Sequence, residues 1–189
     1  MEVVSRAIIR AMWLAFLVYW LVAARNVKST RWREPLRRQL RHWVFFGLGA
    51  FFILPHPPVW ERLAEPYMPY SPILVPMGAM IAAIGFGFAV WARLHLGGEW
   101  SDTVALKQEH SLVDTGPYGI VRHPIYSGLL FAFIGTAVSR DEWRCLMAVG
   151  LVATGFVLRC VAEEAKMRQA LPEYDAYARR TKRIIPLIY

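Results

Sequence analysis

The sequence predicts an all-α integral membrane protein with about five transmembrane helices, and three observations lead to that fold class. Hydrophobic residues make up 56% of the 189 residues. Charged residues make up only 19%, whereas ordinary soluble domains carry about 25%. Five apolar segments alternate with polar segments along the chain. The length fits one domain rather than two.

The apolar segments differ in how well they fit a membrane crossing, which takes about 20 residues. They are residues 7–24, 43–55, 71–94, 125–138 and 143–162. The second is short for a span. The third contains Gly78, Gly85 and Gly87, small residues that would let a neighbouring helix approach closely. The polar turn at 139–142 predicts that the last two segments form a tight helical hairpin. A signal peptide is the alternative for the first segment, but its start is not clearly basic and four more apolar segments follow.

The basic residues predict an orientation. With the N-terminus outside and the C-terminus inside, residues 25–42, 97–124 and 164–189 lie in the cytoplasm. These regions hold 15 of the 22 Lys and Arg residues, against three outside. This positive-inside bias explains most of the net charge of +8 without a nucleic-acid partner. The basic run in residues 25–42 would also attract anionic lipid.

The inner loop 97–124 is too long to be a simple connection, so we expect it to be functional and ordered. Gly116, Pro117 and Gly119 form a turn signal. Pro124 can occupy the first position of the fourth helix. Arg122 and His123 would then lie at a helix N-terminus, where free N–H groups can hold an anionic or polar group of a ligand.

Charged residues also mark the end of the fifth apolar segment. Arg159 and Glu163 are four residues apart and share a helix face, and Glu164 follows. An intramembrane arginine is expected to be functional by default. Snorkelling, or an ion pair with Glu163, is the alternative. The basic tail after Pro172 is amphipathic and would either lie on the membrane surface or cap the inner loop.

Several short motifs occur in a fixed order within residues 91–186. They are Leu96-Gly97 with Trp100-Ser101, His110-Ser-Leu-Val113, Gly116-Pro-Tyr118, Arg122-His-Pro-Ile-Tyr126-Ser-Gly128, Glu163-Glu164 and a tail with Tyr174-x-x-Tyr177, basic residues and Pro186. In this order they resemble the isoprenylcysteine carboxyl methyltransferase family, which includes phospholipid N-methyltransferases. The tail departs from the family pattern, because Leu171-Pro172 stands where the family usually has Phe-Gly.

The resemblance implies S-adenosylmethionine as the methyl donor. Within the single domain 1–189, residues 1–96 would form the first three helices and residues 97–189 the catalytic and cofactor-binding part. By motif position, the implied donor-binding residues are Thr103, His110, Ser111, Leu112, Val113, Tyr118, His123, Pro124, Ile125, Tyr126 and Glu163. Arg159 resembles the arginine that faces the substrate. Glu163 suits the donor's ammonium or a ribose hydroxyl, and the helix start with Arg122 suits its carboxylate.

The acceptor is predicted to be lipidic, and its reacting group stays open. A carboxylate, as in a prenylcysteine, needs a cation such as Arg159 to position it. An amine, as in phosphatidylethanolamine, must lose a proton, with Glu164 or His123 as the base. A non-catalytic transport or assembly protein is the remaining alternative.

The chain's compactness suggests a prokaryotic plasma membrane, with the active site on the cytoplasmic side. No metal is expected, because His95, His110 and His123 lack ligand spacing and the two Cys residues form no zinc motif. No nucleic-acid partner is expected either.

Overall fold

The computed structural model describes residues 2–25, 30–33, 36–53, 58–69, 71–97, 105–107, 112–186 and 188. Its longer helices are α1 (Glu2–Ala23), α2 (Leu36–Ile53), α3 (Leu74–Leu96), α5 (Pro124–Arg140) and α6 (Trp143–Ala170). Between and after them lie β1 (Thr30–Arg33), a 3₁₀ helix (Pro58–Ala64), β2 (Ala105–Lys107), α4 (Pro117–Ile120) and α7 (Tyr174–Arg180).

Each predicted apolar segment lies largely within one of the five long helices, and α2 and α6 extend furthest beyond the predicted bounds. α2 begins at Leu36, ahead of its apolar segment, and α6 continues to Ala170. The added residues are rich in Arg, Gln, Glu and Lys, which are good helix formers despite their polarity. α6 ends before Leu171, because a residue that precedes a proline disfavours the helical conformation.

α3 and α5 pack antiparallel through glycines, as the sequence predicts for Gly78 and Gly85. A Cβ atom on Gly85 would lie 2.5 Å from the Gly128 carbonyl oxygen, and one on Gly78 would lie 2.5 Å from the Gly135 carbonyl oxygen. No side chain fits at these positions, so the two backbones are in direct contact. Gly87 does not share this role, because a Cβ there would meet no atom within 4 Å.

α2 packs on α6 and closes the main hydrophobic core. Gly155 of α6 faces Phe45, and the rings of Phe46 and Phe156 lie 4.9 Å apart. The core cluster includes Leu130, Phe133, Val152, Phe156 and, from the tail, Ile184. The C-terminal tail is therefore part of the core rather than an appendage to it.

Two helices of the described chain, α3 and α6, are long and apolar enough to cross a membrane. Ala7–Ala23 and Trp43–Ile53 are shorter apolar stretches, and α5 has 17 residues. Large apolar side chains such as Leu17, Leu21, Ile84 and Leu94 are exposed on α1 and α3, as lipid-facing side chains would be. The number of membrane spans, about five, and their orientation across the membrane remain predictions.

β1 and β2 form an antiparallel ribbon that the all-α prediction missed. Their strands have four and three residues, too short for an alternating pattern to stand out in the sequence. The ribbon joins the segment after α1 to the loop after α3. Arg93 of α3 also donates a 2.6 Å hydrogen bond to the Ala23 carbonyl oxygen. The C-terminal ends of α1 and α3 therefore lie together.

Candidate active site

The start of α5 is shaped by a tight turn and by proline, both of which the sequence predicts. Gly116 has a φ of +56°, and a Cβ there would lie 2.8 Å from the His95 ring. Pro124 takes the first turn of α5, and His123 is the residue before it. This geometry brings Arg122 and His123 to the last third of α6, where Glu163 and Glu164 lie.

Glu163 receives contacts from three side chains. The Tyr126 hydroxyl donates to Oε1 at 2.6 Å, and Arg159 Nε donates to the same oxygen at 2.9 Å. His123 Nδ1 lies 3.4 Å from Oε2. The Glu163 side chain is nevertheless 18% exposed, so a polar group of a ligand could reach it.

Glu164 has different neighbours and is fully buried among arginines. Its Oε1 accepts hydrogen bonds from Arg122 Nε at 2.9 Å and Arg183 Nε at 3.0 Å, and its Oε2 accepts one from Arg168 Nη2 at 3.3 Å. His123 Nε2 lies 3.5 Å from Oε1. We call Arg122, His123, Arg159, Glu163 and Glu164 the site cluster.

Aromatic rings form a column beside the site cluster. The rings of His123 and Tyr126 are stacked 5.5 Å apart, and Tyr126 stacks on Phe156 at 4.8 Å. Arg159 places its guanidinium carbon 5.6 Å from the centre of the Tyr126 ring. The column fixes the directions of His123, Tyr126 and Arg159 together.

The segment 181–184, here called the strap, lies beside the residues that enter α5. Arg122 N donates to the Lys182 carbonyl at 2.7 Å, and His123 N donates to the Arg183 carbonyl at 2.9 Å. These two N–H groups and the Arg122 guanidinium, which also donates to the carbonyls of Ala178 and Thr181, are thus engaged by the tail. The sequence predicts that these groups face the donor's carboxylate, but in the structure the carbonyls of the tail occupy them.

The tail caps the inner loop, one of the two placements predicted for it. Tyr174 and Tyr177 are buried with Leu171, and Leu112 packs against them. The Tyr177 hydroxyl donates to the Tyr118 carbonyl at 2.7 Å. Burial raises the pKa of both Tyr174 and Tyr177 above the usual phenol value. These phenols therefore stay protonated at neutral pH.

His123 is an exception to the rule that burial favours a neutral imidazole. Burial opposes its charge, but contact with the Cys160 thiol, Glu163 and Glu164 outweighs that effect and raises the pKa of His123 well above its ordinary value. Burial also raises the pKa of Tyr118, and the nearby Glu163 raises it further. The Glu163 and Glu164 carboxylates on either side of the ring therefore favour the protonated form of the imidazole.

The structure brings most of the predicted site residues together. Val113, Tyr118, Ile125 and Tyr126 pack in one cluster with Ala92, and Pro124 is buried next to them. Leu112 lies apart from this group, in the tyrosine cluster of the tail. Thr103, His110 and Ser111 lie outside the described residues.

Three residues at the site were not predicted as site residues from the sequence. Arg168 and Arg183 bind Glu164, and Phe156 supports the Tyr126 ring. Arg168 lies four residues after Glu164, a spacing that predicts an ion pair on a helix. Arg183 gave no such local signal, because it is 19 residues from its partner. Among the described residues, no group of three His, Cys, Asp or Glu side chains could hold a metal ion.

The sequence is similar to several known proteins. Relatives include the cobalt-zinc-cadmium resistance protein CzcN of Cupriavidus metallidurans, 28% identical over 61% of this chain and 50% of that protein. The nickel-cobalt-cadmium resistance protein NccN of Alcaligenes xylosoxydans is 27% identical over 58% of this chain and 47% of that protein. The chain thus matches only about half the length of these two relatives.

A third relative covers more of the chain. A probable protein-S-isoprenylcysteine O-methyltransferase of Oryza sativa is 28% identical over 74% of each sequence. The sequence model described as phospholipid methyltransferase matches residues 73–173, which include α3, α5, α6 and both glutamates of the site cluster. That match spans more than half of the chain. The chain belongs to the phospholipid methyltransferase family.

Proposed function

We propose that this protein transfers a methyl group from S-adenosylmethionine to a lipidic acceptor at the membrane. The observation that carries the proposal is the Glu163 side chain, a partly exposed carboxylate that Tyr126, Arg159 and His123 hold in place. A carboxylate fixed in this way is suited to a ligand that carries an ammonium or hydroxyl group. Membership of a methyltransferase family supports the same reaction class.

The residues present fit the proposed donor. His123 Nε2 is buried and makes no hydrogen bond within the described residues, so it is available to a polar group of a ligand. Val113, Tyr118, Ile125 and Tyr126 provide apolar and aromatic surface suited to an adenine. S-adenosylmethionine would supply an activated methyl group on a sulfonium. Thr103, His110 and Ser111 remain proposed donor contacts from the inner loop.

Arg159 is the proposed contact for the acceptor. Its Nε is bound to Glu163 and its guanidinium lies over Tyr126, so the plane of the guanidinium is fixed. A fixed guanidinium can orient an acceptor carboxylate for in-line attack on the methyl group. A carboxylate nucleophile needs no base, which fits a site whose carboxylates already pair with cations. We therefore favour a prenylcysteine-like carboxylate.

N-methylation of an aminophospholipid is the alternative acceptor chemistry. The amine would have to lose a proton, with Glu164 or His123 as the candidate base. The raised pKa of His123 favours its protonated form, which disfavours His123 in this role. Glu164 is buried against three guanidinium groups, which favour its ionised form and restrict its access. The same contacts favour a supporting role for Glu164 and Arg122 over direct participation in the transfer.

In the proposed topology, the protein spans the membrane about five times, and the site cluster lies at the cytoplasmic side of a prokaryotic plasma membrane. The basic segments 25–42 and 164–189 flank helix ends close to the site, and the positive-inside rule places such segments in the cytoplasm. A lipid acceptor would enter between helices, while the water-soluble donor enters from the cytoplasm.

Two measurements test the proposed function. Calorimetric titration of the purified protein with S-adenosylmethionine is expected to give a Kd in the micromolar range, equivalent to about −8 kcal/mol. Radiolabelled methyl transfer is then measured side by side into a prenylcysteine acid and into phosphatidylethanolamine vesicles. Label in the first supports the carboxylate acceptor, and label in the second alone supports the amine. Absence of donor binding in several detergents would remove the enzyme proposal and leave a non-catalytic membrane protein.

A further inference from the structure

The strap is attached to the start of α5 by backbone pairing. Val121 and Lys182 form a parallel bridge, and the amides of Arg122 and His123 donate to strap carbonyls. Two buried contacts continue the attachment, because the Ser127 hydroxyl donates to the Ile184 carbonyl and the Ile184 side chain lies in the main core. The backbone of His123, immediately before α5, is therefore held by a segment 60 residues further along the chain.

Glu164 is the side chain that joins the strap to α6. Its Oε1 binds Arg183 of the strap and Arg122 beside it, while Arg168 binds Oε2 from the next turn of α6. Its side chain is 0% exposed, against 18% for Glu163. The two adjacent glutamates therefore face different surroundings: Glu163 can meet a ligand, and Glu164 meets the protein's own arginines.

We propose that Glu164 is a positioning residue, which fastens the strap to α5 and α6 and thereby sets the geometry of His123 and Glu163. This inference rests on the proposed function for its effect on catalysis, but the attachment itself does not. A buried carboxylate among guanidinium groups is strongly coupled to them, since removal of the Glu164 charge leaves the buried Arg122 guanidinium without its counter-ion. A released strap would free the His123 backbone, and small displacements in a methyl-transfer site are costly.

Hydrogen exchange measures the attachment directly. The variants are Glu164→Gln, Arg183→Gln and, as a matched control, Lys182→Gln, which removes one exposed charge from the same strap. Within residues 121–123, the amides of Arg122 and His123 donate to the strap. We expect these two amides to exchange about tenfold faster or more in Glu164→Gln and Arg183→Gln, equivalent to the loss of one hydrogen-bonded ion pair. The control is expected to match the wild type, and so are peptides from the α3–α5 interface in all variants.

Donor binding separates positioning from general stabilisation. We expect Glu164→Gln and Arg183→Gln each to raise the Kd for S-adenosylmethionine about tenfold, with a smaller fall in kcat. We expect the Kd of the double variant to be no higher than that of the single variant with the higher Kd, because both substitutions remove the same attachment. Additive losses in the double variant would contradict a shared role.

The outcomes distinguish this inference from the proposed function. If the wild type neither binds the donor nor transfers a methyl group, the proposed function fails while the exchange data still test the attachment. If Glu164→Gln lowers activity with unchanged exchange in residues 121–123, Glu164 acts directly and the inference is overturned. Faster exchange throughout the protein in Arg183→Gln, a variant that keeps Glu164, would also overturn it, because the strap would then serve the whole fold.

Discussion

Buried Glu–Arg clusters lie at both ends of the α5–α6 hairpin, and they differ in what completes them. The turn cluster consists of Arg140, Glu142 and Arg144, and the site cluster lies at the far ends of the same helices. In the turn cluster, Arg140 Nη1 donates to the Ile53 carbonyl at 2.7 Å and Arg144 Nη1 to the Phe52 carbonyl at 3.0 Å. These are carbonyls of the last turn of α2, which lack partners within their helix.

In the site cluster Arg122 also donates to backbone carbonyls, but the partly exposed member of the cluster is a glutamate that side chains hold. Glu163 is held by Tyr126 and Arg159, and its side chain is 18% exposed, against 5% for Glu142. The arginines of the turn cluster bind carbonyls at the end of α2, and a ligand could replace those carbonyls only if that helix end unfolded. The Glu163 carboxylate of the site cluster is partly exposed, so it can bind a ligand while the fold stays intact. This difference supports the proposal that the site cluster, and not the turn cluster, binds the ligand.

The largest effect is expected at the turn cluster. Arg144→Met would leave Glu142 buried without its closest cation and the Phe52 carbonyl without a cap. We expect a loss of about 3–5 kcal/mol in the free energy of unfolding, typical of a broken buried ion pair. Unfolding in detergent measures it, and the protein that remains folded is expected to keep its methyl transfer.

The matched control for that substitution is Arg168→Met. The Arg168 side chain is 41% exposed, and Glu164 keeps Arg122 and Arg183 when Arg168 is replaced. We therefore expect a loss of about 0–1 kcal/mol, the range of an exposed ion pair. Equal losses of stability in Arg144→Met and Arg168→Met would contradict a purely structural role for the turn cluster.

Arg159→Ala is the next largest expected effect and acts on turnover rather than folding. The guanidinium is proposed to position the acceptor, and removal of one such oriented group costs about 10²–10³ in kcat. Donor binding is expected to survive, because Glu163 and His123 remain. Radiolabel transfer together with calorimetry measures both quantities. Intact turnover in this variant would remove the substrate role of Arg159.

The local parts of this comparison could be predicted from the sequence. Pro124 fixed the start of α5, the glycines of α3 predicted a close helix contact, and the spacing of Arg159 and Glu163 predicted their ion pair. Each of these signals lies within one helix or turn, where residue spacing determines geometry. The positions of the predicted apolar segments were correct for the same reason.

The long-range parts could not be predicted. Arg183 reaches Glu164 only because the strap folds back beside Val121, and Arg144 caps Phe52, 92 residues away. No periodic pattern links such residues, since their contact depends on how the helices pack. The different surroundings of Glu163 and Glu164 are likewise invisible in the sequence, where the two are adjacent and identical.

Glu163→Gln sharpens the comparison within the site cluster. It keeps the size of the side chain but removes the charge that is proposed to face the donor. We expect the Kd for S-adenosylmethionine to rise about 10- to 100-fold, equivalent to about 1.4–2.8 kcal/mol. Calorimetric titration measures it. Hydrogen exchange in residues 121–123 is expected to stay near the wild type, in contrast to Glu164→Gln, and faster exchange there would show that the two glutamates share one role.

The smallest expected effect concerns the tail and depends on pH. Tyr177→Phe removes the hydrogen bond to the Tyr118 carbonyl, for an expected loss of about 1 kcal/mol in the free energy of unfolding at pH 8. Burial raises the pKa of Tyr177 in the folded protein, so folding favours the protonated phenol. Its contribution is therefore fully present below the unfolded pKa of about 10 and is lost as pH rises toward the folded pKa.

Unfolding of the wild type and of Tyr177→Phe between pH 8 and 11 tests whether this contribution to stability falls as pH rises. The advantage of the wild type over Tyr177→Phe is expected to shrink above pH 10, while Tyr118 and Tyr174, shared by both proteins, cancel in the difference. A difference that grew with pH would mean that Tyr177 is held as a phenolate. The tail contact would then be ionic, like the site cluster, and not a neutral hydrogen bond that keeps the strap in place.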